Sequence, residues 1–136
     1  MKNEEENLIK IQIIPKSMSV DYGSLHRQIM DLDSSIRLVT ICTNEGKIMH
    51  SDHREGVTNL LTPEESKKSL DLAINAWKIR SELTPKIGRG KYVLAEYERI
   101  KRITMPLGDN KHLVYIATEV PSDHHKIING VMQLKL

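Results

Sequence analysis

Residues 36–43 read IRLVTICT, and residues 113–117 read LVYIA. Both stretches carry apolar side chains at positions that face opposite sides of a β-strand, a pattern typical of strands that are covered on both faces. Strands at the edge of a sheet are usually more polar and alternate more strictly. We therefore predict that these two strands, although far apart in the chain, lie side by side in the centre of one sheet.

Three further strands are predicted around this central pair. Residues 47–51 return from the first strand through a turn in which Gly46 suits a left-handed backbone conformation. Residues 92–98 and 100–107 precede the last strand, which extends over 112–118. With the first and last strands central, the sequence predicts a five-stranded antiparallel sheet of order 2-1-5-4-3.

Helices are predicted before, between and after these strands. The first covers about residues 19–32, with Ser19 or Asp21 as its N-cap. The second begins with a capping box at residues 62–65 and ends at the Thr84-Pro85 pair. The last begins near residues 121–123. Helices that flank an antiparallel sheet define an α+β fold.

The length of 136 residues fits one domain, which we place at residues 18–136. Residues 1–17 are predicted to be an N-terminal extension that is either flexible or an additional edge strand. The first residues are acidic rather than basic, unlike a secretory signal, and no apolar run approaches the roughly 18 residues of a membrane span. The predicted location is cytoplasmic, away from membranes.

Composition excludes several classes of function. A net charge of +2 is too small to predict nucleic-acid binding. The single cysteine, Cys42, excludes an internal disulfide and a multi-cysteine zinc site. The sequence contains no motif typical of a catalytic or cofactor-binding site, so we predict a protein that is not an enzyme and carries no cofactor.

Two groups of side chains are candidates for binding. Histidine and carboxylate side chains are common ligands of divalent metals. The candidate metal ligands are His50, Asp52, His53, His124 and His125. Clustered cations around a glycine-containing loop can hold an anion or an acidic partner, and also leave nucleic-acid binding open as an alternative. The candidate anion or partner contacts are Lys86, Arg89, Lys91, Arg99, Lys101 and Arg102.

The loop after the first hairpin also concentrates charged residues. Arg54 and Glu55 follow Asp52 and His53 directly. We predict that Arg54 and Glu55 tether this loop to the second helix by ion pairs or hydrogen bonds.

Four stretches of the sequence resemble a family of small thaumarchaeal proteins. They are IMDLDSSIR at 29–37, REGVT at 54–58, AEYERIK at 95–101 and SDHHKIIN at 122–129. The resemblance covers about residues 22–136 and implies no particular activity.

The order of the elements resembles that of roadblock (dynein light chain) domains. These domains share the layout of a helix, two strands, a helix, three strands and a helix, with strands one and five central. The resemblance implies a homodimer formed through a sheet edge and a helix, and a regulatory or scaffold role with a protein partner such as a small GTPase.

Profilin and PAS domains have related five-stranded sheets. A PAS-like sensor is the main alternative, and it would need a ligand pocket between the sheet and the last two helices, lined by Ile, Met and Tyr. Fold alone does not decide between these functions.

Overall fold

The structure is a computed structural model that describes residues 20–136. The predicted extension over 1–17 and the alternative N-cap Ser19 lie outside the described residues. The elements are α1 (Tyr22–Met30), β1 (Ile36–Thr43), β2 (Ile48–His53), α2 (Pro63–Ser81), α3 (Thr84–Ile87), β3 (Val93–Glu96), β4 (Lys101–Pro106), β5 (His112–Thr118) and α4 (His124–Met132).

The five strands form one antiparallel sheet in the predicted order, β2-β1-β5-β4-β3. β1 and β5 lie side by side in its centre, with Val39 opposite Ile116 and Ile41 opposite Val114. The α+β architecture and the strand order predicted from the sequence are therefore confirmed.

One of the two predicted N-caps of α1 is confirmed, whereas the end of β2 differs from the one expected. α1 begins after Asp21, whose carboxylate accepts a hydrogen bond from the Ser24 backbone N–H at 3.0 Å. β2 extends two residues beyond the predicted end, because Asp52 pairs with Val39 and His53 pairs with Leu38. The predicted loop therefore begins at Arg54 rather than at Asp52.

α2 begins as predicted and ends earlier. Thr62 Oγ1 accepts from the backbone N–H of Glu65, while the Glu65 carboxylate accepts from the N–H of Thr62, which completes the capping box. The helix stops at Ser81, and the Thr84-Pro85 pair, expected to end it, instead opens the one-turn helix α3. Proline suits the first turn of a helix because no partner is needed there for its missing N–H.

The two faces of the sheet carry different layers. α1 and α4 cover one face and enclose the larger core, which includes Ile29, Ile36, Ile103, Ile116 and Ile127, all fully buried. α2 covers the other face over a smaller cluster. None of the helices within residues 20–136 is both long enough and apolar enough to cross a membrane.

The smaller cluster under α2 leaves part of its face of the sheet uncovered. It consists of Cys42, Leu70, Ile74, Leu113 and Tyr115. Of the 19 residues of α2, only Leu70 and Ile74 are buried. A long helix that buries so little leaves room for a cavity on one side and exposed apolar side chains on another.

Candidate functional site

A row of apolar side chains on α2, on α3 and on the turn between them faces solvent. Leu72 is 67% exposed, Ile79 64%, Leu83 52% and Ile87 77%, and half-buried Ala76 lies between the first two. Spacings of four and three residues place Leu72, Ala76 and Ile79 on the same side of α2, and Leu83 and Ile87 follow after the turn at the end of this helix. We call these five residues the α2 ridge. Exposed apolar side chains that are grouped in this way mark an interaction site more often than scattered apolar residues do.

The edge strand β3 lies beside this ridge. β3 pairs with β4 on one side only, so its other backbone edge is open within the described part of the chain. A groove of about 230 Å³ separates it from α2, with Leu72 and Ala76 on the helix side and Val93 and Ala95 on the strand side. Leu72 and Ala76 of the α2 ridge therefore face β3 across this groove.

A larger cavity of about 420 Å³ lies on the same face of the sheet, nearer to β2. It is bounded by the sheet, by the loop over residues 54–62 and by the first turns of α2. Its lining consists of Arg37, Leu38, Thr40, Ile48, Ser51, His53, Val57, Asn59, Leu60, Leu61, Pro63, Ser66, Lys67, Leu70, Ile100, Arg102, Tyr115 and Ala117.

This cavity differs from the pocket expected for a PAS-like sensor. The expected pocket lay between the sheet and the last two helices, whereas α4 packs on the opposite face and only α2 borders the cavity. Its lining contains Ile48, Ile100 and Tyr115 but no methionine from residues 20–136. A cavity is present between the sheet and α2, but the prediction that the last helix also borders it was wrong.

Arg54 fixes the start of the loop that closes the cavity. Its Nε donates to the carbonyl oxygen of Ile36 at 2.7 Å, and its Nη2 donates to the carbonyl oxygens of Met30 and Asp33 at 2.7 and 2.8 Å. These contacts tether the loop to the end of α1 and the start of β1, and not to the second helix as the sequence suggested.

Arg37 holds the far part of the same loop. Its Nη1 lies 2.5 Å from the Glu119 carboxylate, and its Nη2 donates to the carbonyl oxygen of Thr58 at 2.8 Å. The charge of Arg37 is thus neutralised by Glu119 while the loop is positioned over β1.

Arg102 links the cavity to the groove and lines both. Its Nη1 donates to Ser69 Oγ, and its guanidinium carbon lies 5.3 Å from the ring centre of Tyr97 and 5.8 Å from that of Tyr115. Such cation–π contacts hold a guanidinium in place. Among residues 20–136, no carboxylate forms an ion pair with Arg102.

Two nitrogen atoms in the walls of the cavity are buried without a hydrogen-bond partner from residues 20–136. They are His53 Nε2 and Arg102 Nε. Thr40 Oγ1 and Ser51 Oγ lie 2.7 Å apart on the floor of the cavity. Burial is also the main cause that raises the pKa of the Tyr115 hydroxyl above its usual range.

The predicted metal ligands do not form one site. His50 is opposite Ile41 and its ring contacts that of His26 at 4.6 Å, whereas His53 faces the cavity on the other side of the sheet. Asp52 Oδ1 accepts from the N–H of His53. Strand residues three apart face opposite sides, which explains the separation.

The other two predicted ligands lie at the start of α4. The rings of His124 and His125 are 4.6 Å apart, and His124 Nδ1 accepts from Lys101 Nζ at 3.0 Å. Lys101 belongs to β4, which β5 and β1 separate from β2. Across 20–136, no three His, Cys, Asp or Glu side chains are grouped as metal ligands. Metal binding by these residues stays a prediction.

The predicted basic segment is also divided. Lys101 is buried on the face that carries α1 and α4, where it also donates to the carbonyl oxygen of Ser122. Its neighbour Arg102 faces α2. The remaining residues of the set are exposed and lie on α3 or on the loops beside β3: Lys86, Arg89, Lys91 and Arg99. The six cations do not form one anion site.

Several residues of the site were not found from the sequence. Ser69 on α2 and Tyr115 on β5 show no motif, because their contact joins residues 46 apart in the chain. The α2 ridge did leave a signal: Leu72, Ile79 and Leu83 form a second apolar stripe at helical spacing, in addition to the buried one.

Comparisons with known proteins show the fold. No protein-family model matches the sequence, and no curated protein matches it significantly. A Roadblock/LC7 domain from Streptomyces avermitilis is similar with a TM-score of 0.59 and 10% identity, over 78% of this chain and 87% of that one.

Two structures of the protein MglB are similar to the same extent. The gliding protein MglB from Thermus thermophilus has a TM-score of 0.60 and 10% identity, over 77% of this chain and 81% of that one. An MglB described with a tetrameric arrangement has a TM-score of 0.65 and 10% identity, over 79% and 76%. The chain therefore has the Roadblock/LC7 fold.

Proposed function

We propose that this protein is a non-enzymatic binding module that pairs with a second copy of itself, and that the pair serves as a regulatory or scaffold platform for another protein. The observation that carries the proposal is the α2 ridge, which lies exposed beside the open edge of β3. An isologous pair would cover both features at once.

The α2 ridge and the open edge of β3 would both contribute free energy to self-association. Full burial of one leucine or isoleucine side chain is worth about 1.5 to 3 kcal/mol. In a twofold pair each of Leu72, Ile79 and Leu83 is buried twice, once in each copy. The open edge of β3 presents unpaired N–H and C=O groups, which invite pairing with another strand. The tetrameric arrangement named for a structure of the same fold supports self-association in this fold.

A protein partner is the second part of the proposal. The roadblock resemblance implies a small GTPase as the partner, and we propose this class as the first candidate. Purified small GTPases, loaded in turn with GDP and with a non-hydrolysable GTP analogue, should co-sediment with the full chain. A complete absence of binding in both nucleotide states would remove this candidate without affecting self-association.

Sedimentation velocity tests self-association. We expect the full chain to sediment as a dimer at tens of micromolar. Ile79→Glu should give monomers, because each pair would then bury two carboxylates in an apolar contact. Lys78→Glu is the matched control, since it adds the same carboxylate at an exposed position next to the ridge. A monomeric wild type, or a dimer that Ile79→Glu leaves intact, would refute the proposal.

A further inference from the structure

We propose that the 420 Å³ cavity binds a small organic carboxylate with an apolar body, whose carboxylate pairs with Arg102. This inference goes beyond the proposed self-association, because the cavity lies toward β2 and neither the α2 ridge nor β3 lines it.

The size and the walls of the cavity suit a small apolar molecule. Pockets that bind small molecules typically measure about 300 to 1,000 Å³ and are mostly apolar. More than half of the lining residues here are apolar or aromatic. They come from the sheet, the loop and α2, so an apolar body would be enclosed on three sides. The apolar residues are Leu38, Ile48, Val57, Leu60, Leu61, Pro63, Leu70, Ile100, Tyr115 and Ala117.

The charges of the lining select an anion. Of the lining residues in the described range 20–136, three are cationic and none is acidic. Arg37 is neutralised by Glu119, and Lys67 lies 3.7 Å from Asp71. Arg102 alone lacks a carboxylate partner in the described chain, although it is half-buried. A partly buried charge without a counter-charge is unfavourable, and a ligand carboxylate would supply that counter-charge.

The polar groups near Arg102 fit one carboxylate rather than a polyphosphate. Arg102 Nη1 already donates to Ser69, so the donors that remain on this guanidinium suit the oxygens of one carboxylate rather than several phosphate groups. His53 and the hydroxyl pair of Thr40 and Ser51 lie in the same lining and add a small number of polar groups. Apolar walls with a few convergent polar groups orient a ligand by one end.

A set of matched probes tests the charge requirement. The full chain is titrated with octanoate, 1-octanol, octylammonium and inorganic phosphate, and binding is followed by calorimetry and by amide NMR shifts. We expect octanoate to bind at least about ten-fold more tightly than the other three, as one charge-assisted hydrogen bond predicts. Equal affinities for octanoate and 1-octanol, tighter binding of phosphate, or no saturable binding of octanoate would each overturn the proposal.

Variants locate the binding site. Arg102→Gln should abolish the preference for octanoate over 1-octanol, and Arg99→Gln, an exposed control three residues away, should retain it. Because Arg102 also contacts Ser69 and two tyrosines, a second variant is needed. Ser51→Leu places bulk in the cavity at an exposed strand position and leaves Arg102 intact. It should weaken octanoate binding at least about ten-fold. Unchanged octanoate binding in either Arg102→Gln or Ser51→Leu would refute this site.

Discussion

The hydroxyl oxygens of Ser69 on α2 and Tyr115 on β5 lie 2.7 Å apart, and this hydrogen bond ties the second helix to the central strand. Ser69 also accepts a hydrogen bond from Arg102 on β4, so three elements meet at one side chain. Tyr115 and Arg102 line both the cavity and the groove beside β3. The cavity and the groove beside the α2 ridge therefore share these two lining residues.

Removing the Tyr115 hydroxyl should weaken the attachment of α2. We expect Tyr115→Phe to lower the free energy of unfolding by about 1 kcal/mol, the usual net value of one hydrogen bond. Urea denaturation measures the change. Tyr92→Phe, at a 39% exposed tyrosine, is the control and should be nearly neutral. A Tyr115→Phe variant as stable as the wild type would show that this contact contributes nothing.

Arg54 provides a second test of stability. We expect Arg54→Lys to lower the free energy of unfolding by about 3 kcal/mol. A lysine ammonium cannot reproduce the planar guanidinium that donates hydrogen bonds to the carbonyl oxygens of Met30, Asp33 and Ile36. Arg99→Lys, at an exposed arginine, is the matched control. Thermal unfolding of both variants measures the loss of stability in each. Equal losses in the two variants would contradict the role assigned to Arg54.

Much of the fold could be predicted because its signals are local. The capping box at Thr62 and Glu65 fixes the start of α2, and the apolar character of β1 and β5 places them centrally. The ends were less well predicted: β2 extends to His53 because pairing with Leu38 stabilises two polar residues that look like a loop in isolation.

The candidate site was predicted less well, since its contacts join distant residues. Proximity in sequence suggested one basic group, but Lys101 and Arg102 are adjacent on a strand and so face opposite layers. Proximity likewise suggested that His50 and His53 act together, and the same alternation separates them. Only the three-dimensional register shows which of these side chains share a cavity.

The Cys42 thiol should be inert in the folded protein. It is fully buried under α2, and burial raises its pKa to about 11. Because the thiolate is the reactive form, we expect no measurable modification by a thiol reagent such as Ellman's reagent at pH 8, and complete modification in denaturant. Rapid modification under native conditions would mean that the cover formed by α2 opens readily.

The contact between Asp109 and His112 predicts how stability depends on pH. Burial acts to raise the pKa of Asp109. Hydrogen bonds from the Lys111 N–H and the His112 ring, the charge interaction with His112 and a hydrogen bond from the His112 N–H together outweigh burial, so the net pKa is lowered. His112 Nδ1 lies 2.6 Å from the carboxylate, and its Nε2 lies 2.8 Å from the Tyr22 hydroxyl. The carboxylate thus helps to connect the β4–β5 turn with α1.

Asp109→Asn should therefore lower stability in a pH-dependent way. Since the pKa is lower in the folded state, the carboxylate stabilises the fold fully above its unfolded pKa of about 3.9 and loses this effect as the pH falls through the folded value. We expect a loss of about 1 to 2 kcal/mol at pH 7 that shrinks below about pH 4, measured by urea denaturation across pH. Asp31→Asn, at an exposed aspartate, should show no such trend. A difference between Asp109→Asn and the wild type that stayed constant from about pH 7 to about pH 3 would show that the charge of Asp109 does not contribute to stability.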